Sequence, residues 1–303
     1  MAISGTACAG AGTDCDHLRG LATPRCSSHS DSDTARIDHA DGCAHGQVMS
    51  AGVELSVREA VATVTLSHPG KFNAMSRPMW RQLRCVFESI AHEHAVRCVV
   101  LTGTAGNFCA GGDISEYADF RFQESSLRDF HENDVWGGLQ AMLDCEVPLV
   151  ASIEGNCMGA GIEIASCCDI RLAGESARFG APIARLGFPM APREAGLVAR
   201  ELGLNVTRQM LLEAAIFTSA DLKACGFLSR VLPDAQLSAE LLATVQGMLG
   251  LSPQAARLNK RTLRALHAPG SALVDDAASY VYADSAEHRE GILAFLEKRS
   301  PVF

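Results

Sequence analysis

The sequence predicts an α/β fold on two observations and their order along the chain. Short unbroken apolar runs, such as Cys98 to Leu101 and Val147 to Ile153, read as strands buried on both faces. Segments with apolar residues at helical spacing lie between them. Strand, helix and strand then alternate, which is the order that places helices against a mainly parallel sheet.

The elements follow in turn. Residues 53–57 and 60–66 alternate apolar and polar side chains about a short turn, predicting a β-hairpin. Residues 76–95 predict a helix. Ser76 can cap it, Pro78 suits its first turn, and Met79, Leu83, Val86, Phe87 and Ile90 form one stripe. The run at 98–101 is a strand. Residues 126–145 predict a second helix, with Phe130, Val135, Leu139 and Met142 on its apolar face. A strand at 147–153, a helix at 159–167 and a strand at 170–173 come next, and beyond Pro192 the pattern is nearly all helical through Glu297.

Bulk properties narrow the partners. The chain has 303 residues, 48% of them hydrophobic, which is ample for a large core. Net charge is −9 and no Lys/Arg-rich run occurs, which argues against nucleic acid and anionic membranes. No apolar run reaches the ~18 residues of a membrane span. The N-terminus has no positive start followed by an apolar stretch, so no secretory signal is expected. Eight of the twelve cysteines sit inside apolar or periodic segments, where they act as small hydrophobes. Free thiols in a reducing cytoplasmic setting are expected.

Residues 1–50 are a different material, rich in Ala, Gly, Ser, Asp, Cys and His and poor in large apolar side chains. Such a segment cannot offset its ordering entropy, so disorder is expected. Its Cys8, Cys15, Cys26 and Cys43 match no paired zinc-ligand spacing, and no metal is expected there. Met49, just before the first strand, is a candidate start. The expected organisation is therefore an extension at 1–50, a core at 51–235 and a helical C-terminal region at 236–303.

The chemistry concentrates in residues 148–169. There a buried strand runs into Gly159-Ala160-Gly161, and the helix that follows carries Glu163 in its first turn. Unpaired N–H groups and the positive end of the helix dipole favour negative charge at such a place. A second small-residue turn, Phe108-Cys109-Ala110-Gly111-Gly112-Asp113, also follows a strand. One N–H from each turn could serve a single oxygen, as in an oxyanion hole. Asp113 is expected to cap the element after it.

The residues from about Val53 to Phe303 resemble the crotonase superfamily, the enoyl-CoA hydratase/isomerase group. Five motifs agree in order. They are the loop His68-Pro69-Gly70-Lys71-Phe72-Asn73-Ala74-Met75-Ser76, the turn from Phe108 to Ile114, the segment from Glu154 to Glu163, the strand around Ala177-Arg178-Phe179-Gly180, and the ending Glu290-Gly291-Ile292 through Arg299. The resemblance implies a spiral of β-β-α repeats with a helical C-terminal trimerisation region. It implies an acyl-CoA thioester substrate, an enolate stabilised by the backbone N–H groups of Ala110 and Ala160, and Glu163 as the catalytic carboxylate. Coenzyme A would meet Lys71, Phe72, Ala74, Ala110, Gly111, Gly112, Asp113, Ile114, Ala160 and Lys298. It would arrive as part of the substrate, with no metal and no other cofactor. Homotrimers or hexamers are the expected assemblies.

One departure stands out. The position of the family's second catalytic glutamate is Ile183, which can neither take a proton nor orient water. Three outcomes stay open: Glu163 acts alone; Glu116, Asp119 or Glu194 substitutes; or the reaction changes to isomerisation, decarboxylation or thioester hydrolysis. A non-catalytic acyl-CoA-binding protein is the further alternative. Hydration of a 2-enoyl-CoA is the favoured activity. An apolar Ile183 should also dry the pocket and raise the pKa of Glu163.

Overall fold

The computed structural model describes residues 50–266 and 277–303. Apart from Ser50, the expected extension at 1–50 lies outside the described residues, with its four cysteines and Met49. The strands are β1 (Gly52–Arg58), β2 (Val61–Ser67), β3 (Cys98–Gly103), β4 (Leu149–Ile153), β5 (Asn156–Met158), β6 (Ile170–Gly174), β7 (Arg178–Gly180), β8 (Ile216–Thr218) and β9 (Arg230–Leu232). Six of them form one sheet in the order β1-β2-β3-β4-β6-β9, and β5, β7 and β8 form a second. The β1–β2 hairpin is antiparallel, and every later pairing in the large sheet is parallel.

The repeat expected from the resemblance is visible in the pairings. After β2 the chain contributes Met75, after β3 it contributes Cys109 and Gly112, after β4 comes β5, and after β6 comes β7. Met75 bridges Gly112, Cys109 bridges Cys157, and β5 pairs with β7, all in parallel. Each turn of chain thus adds a strand to the large sheet, a short piece to the second layer, and helix.

The first helix, α1 (Arg77–His92), follows its sequence signals. Ser76 caps it by accepting from the Met79 N–H (3.4 Å), and Pro78 lies in the first turn. Its inner face buries Met79, Trp80, Leu83, Phe87 and Ile90. Full burial of one such leucine contributes roughly 1.5–3 kcal/mol. The helix expected at 126–145 is instead three pieces: α2 (Glu124–Asp129), a π-turn (Phe130–Val135) and α3 (Trp136–Asp144). All four expected apolar positions are buried. The wide turn changes the phase of the helix between its two ends, and such bulges often occur at functional sites.

Next come α4 (Ala160–Ser166), α5 (Pro192–Leu202), α6 (Leu204–Leu212), α7 (Ser219–Ala224), α8 (Leu237–Leu249), α9 (Pro253–Leu266) and α10 (Ala286–Glu297). The nearly all-helical reading beyond Pro192 is corrected by β8 and β9, which are three residues each and too short to carry a period-2 pattern. Helix α8 covers the outer face of the large sheet, where Leu237 and Val245 bury against Cys98, Val100, Val150 and Leu172. Helix α9 is tied down by Lys260, which is buried and bonds Asp169 (2.6 Å) and the Val147 carbonyl (2.7 Å). Asp169 is the more open member of that pair.

Candidate active site

Helix α4 is short, and its start is pressed against the upstream small-residue turn. A Cβ on Gly161 would sit 2.7 Å from the Cys109 carbonyl oxygen. The missing side chain therefore lets the chain's own backbone approach, and that approach joins two turns lying some 50 residues apart. Glu163 stands in the first turn of α4, its N–H donating to the Gly159 carbonyl (3.1 Å).

The first expected oxyanion donor needs correction. The Ala110 N–H already donates to the Phe72 carbonyl at 3.0 Å, so it is spent on holding the loop. Two residues on, the Gly112 N–H has no acceptor among the described residues, and neither has the Ala160 N–H at the start of α4. Gly112 and Ala160 line one cavity of about 60 Å³ together with Glu163. The Tyr117 hydroxyl occupies the space that a Cβ at residue 112 would need. A larger residue there would have to displace the Tyr117 side chain.

Glu163 is set in an apolar surround. Ile183, Phe130 and Phe188 share the cavity lining with it. Burial, followed by the nearby Glu194 charge, pushes its pKa up to about 8. At neutral pH the group is a neutral acid, which agrees in direction with the drying expected from Ile183.

Of the three carboxylates considered as substitutes, Glu194 is the one coupled to Glu163. It lies in the first turn of α5 and is only 2% exposed. Its Oε1 is 3.0 Å from Nδ1 of His131. His131, delivered by the π-turn, lines the cavity itself. Glu116 instead accepts from the Arg77 N–H (2.9 Å), and Asp119 is exposed; neither lines the cavity.

The residues expected to meet coenzyme A are elsewhere than the cavity lining, apart from Gly112 and Ala160. Lys71 bonds Asp113 and the Ser115 hydroxyl, each at 2.7 Å. Asp113 also accepts from the Ser115 N–H (3.1 Å), the expected cap. Phe72 and Ile114 are exposed, whereas Ala74 is buried with its carbonyl 2.6 Å from the His68 ring. The Gly111 carbonyl accepts from the Met75 N–H (2.7 Å). Lys298 is exposed and ends α10 in a left-handed conformation. Sequence reasoning missed Tyr117, Arg121, His131 and Phe188. The first three lie between Ile114 and Met142 and the last just after Leu186, and their only signal was a clustering of aromatic and basic residues.

A family model described as enoyl-CoA hydratase/isomerase matches residues 56–303. The 2,3-dehydroadipyl-CoA hydratase of Escherichia coli is 31% identical over 252 residues, covering 82% of this chain and 97% of that protein. The probable enoyl-CoA hydratase echA8 of Mycobacterium tuberculosis is 29% identical over 248 residues, covering 81% and 95%. Among solved structures, an enoyl-CoA hydratase/carnithine racemase from Magnetospirillum magneticum superposes with a TM-score of 0.80 at 33% identity, covering 86% of this chain and 97% of that one. Similarity along nearly the whole described fold, added to the paired turns and Glu163, leads to one conclusion: this chain belongs to the enoyl-CoA hydratase/isomerase family.

Proposed function

We propose that this enzyme adds water to a 2-enoyl-CoA, with Glu163 as the acid and His131, backed by Glu194, as the base. The observation that carries the reading is one small cavity holding a neutral carboxyl, two unpaired backbone N–H groups and a histidine bonded to a buried carboxylate. The thioester carbonyl oxygen would accept from the N–H groups of Gly112 and Ala160. A Glu194 carboxylate accepting from Nδ1–H leaves Nε2 of His131 as the basic nitrogen. That nitrogen would take a proton from water as the oxygen attacks Cβ. Electrons move onto the thioester as an enolate, and each backbone donor is worth on the order of 3 kcal/mol to that charge. Glu163 then gives its proton to Cα, and the proton on His131 returns to Glu163 through solvent or product release. The hydratase names of the relatives support this chemistry over the other reactions of the family.

A panel of CoA thioesters in D2O, read by mass spectrometry, tests the proposal. Gain of one water on a 2-enoyl-CoA supports it. A double-bond shift, loss of CO2 or release of free CoA with 2-enoyl-CoA untouched would replace it. Binding without turnover on any ester would make the chain a non-catalytic acyl-CoA binder.

We also infer assembly through the C-terminal region into a homotrimer or hexamer. Ile292, Leu293, Phe295 and Leu296 of α10 are all exposed, Phe295 to 81%, an apolar patch of the kind that marks an interface. Sedimentation of the wild type against Phe295→Glu reads this: a trimeric mass that falls in the variant is expected. Among the described residues the eight cysteines are free, which fits the cytoplasmic location we propose. No described helix is long and apolar enough to cross a membrane.

A further inference from the structure

Arg121 stands in the cavity wall with Gly112, Ala160 and Glu163. Its guanidinium carbon lies 4.4 Å from the Tyr117 ring centroid and 4.0 Å from that of Phe188. The two rings are edge to face with each other, centroids 5.9 Å apart, so they meet the group from directions about a right angle apart and leave the rest of its surround open to an acceptor. The group is half-buried, and burial lowers its pKa, so its charge is held at a cost. Tyr117 does not neutralise that charge: burial pushes the phenol up to about 12, so it stays uncharged at physiological pH.

Elsewhere this chain pairs its arginines with acids freely. Arg77 and Arg81 share Asp134, Arg171 bonds Glu201, and Arg299 bonds Glu290. Among the described residues no carboxylate pairs with Arg121. Nor is it spent on Glu163, whose pKa is raised by burial and by Glu194. A planar cation, held against two rings in the wall of a reaction cavity and paired with no described carboxylate, is suited to an anion that arrives with the substrate. Its fork of donors matches a carboxylate. Tyr117 sets the distance, since its hydroxyl stands over Gly112 and its ring lies against Arg121. About one aromatic ring thus separates the guanidinium from the thioester end of the site.

We propose that Arg121 makes this enzyme selective for CoA thioesters of short acyl chains that end in a carboxylate. The proposal rests on the acyl-CoA reading of the site and extends it to the substrate class.

The test uses two 2-enoyl-CoA thioesters of equal chain length, one ending in methyl and one in carboxylate, with wild type, Arg121→Met and Arg121→Lys. The wild type is expected to prefer the carboxylate ester in kcat/KM by about tenfold or more, the usual worth of a charge-assisted bond. In Arg121→Met the preference falls to about one. Arg121→Lys, which keeps the charge and loses the fork, falls between. Equal turnover of both esters by wild type, or an equal loss on both in the variants, overturns the proposal. So does weaker binding of free coenzyme A by Arg121→Met, which would assign the guanidinium to a phosphate. If wild type hydrates neither ester, the hydratase reading has failed, and calorimetric binding of the saturated carboxylate and methyl esters still decides the role of Arg121. A selective loss of carboxylate-ester affinity in Arg121→Met supports it, and an unchanged ratio overturns it.

Discussion

The two walls of the cavity are made in different ways. On one side stand Gly112, Ala160 and Glu163, from the turn that comes after β3 and the turn that follows directly on β5. Their chemistry is mostly backbone, and it depends on small residues packed at van der Waals distance. On the other side stand Arg121, His131 and Ile183, with Glu194 behind. These are side chains from a loop, a π-turn, a short 3₁₀ turn and a helix. The first wall is what any thioester enolate needs. In the proposed reaction the second moves the proton to and from water and meets the acyl group, and it holds Ile183, where the resemblance places a glutamate. General chemistry is thus held by rigid strand ends, and particular chemistry by replaceable segments around them.

The largest way to break this comparison is Glu163→Gln. Turnover should fall about 10²- to 10⁴-fold while CoA-ester binding persists, measured by steady-state kinetics and calorimetry. Gly112→Ala should come next, since the added methyl displaces Tyr117 and disturbs the oxyanion donor. A loss of about a hundredfold in kcat is expected, with a smaller change in KM.

Glu194→Gln and His131→Asn sharpen the second wall. Each should lower kcat by tens of fold, and the double variant should be no worse than the poorer single one, because the two residues act as a unit. A fully additive loss would separate them. Glu194→Gln should do one thing more. Removing its charge removes one cause of the raised Glu163 pKa, so the basic limb of the pH–rate profile should move to lower pH. In the wild type that limb should fall as pH rises through about 8, where the acid loses its proton.

The same carboxyl also bears on stability. The folded pKa of Glu163, about 8, lies above its ordinary value of 4.5, so the folded state holds this proton more tightly. That contribution is fully present below about 4.5 and is lost as pH rises to about 8, at up to about 1.4 kcal/mol per pH unit. Chemical denaturation of Glu163→Gln against wild type should show the variant gaining relative stability across that window and levelling above it.

Much of this was written locally. The α1 cap at Ser76, the stripe of α1, the buried strands and the helix bearing Glu163 are each signalled by residues adjacent in sequence, because caps, turns and amphipathic periods are short-range physics. The Ala110 assignment failed for the complementary reason. Ala110 and Gly112 are both small residues in one turn, and only the Phe72 carbonyl, from a different loop, decides which N–H remains free. Strands β5, β7, β8 and β9 are too short to show a period and exist through their partners. The pairing of His131 with Glu194 spans 63 residues, and the surround of Arg121 joins a ring four positions away to one at Phe188.

By itself, then, the sequence determined the fold class, the family, the acidic helix start at Glu163 and an apolar Ile183 where the resemblance expects a carboxylate. Tertiary structure alone decided that, among the described residues, the Gly112 N–H is left without an acceptor, that Glu194 bonds His131 beside the cavity, and that Arg121 lines it with no carboxylate partner. A side chain's type is written in the chain. Its protonation and its partner are set by what burial and long-range packing bring against it.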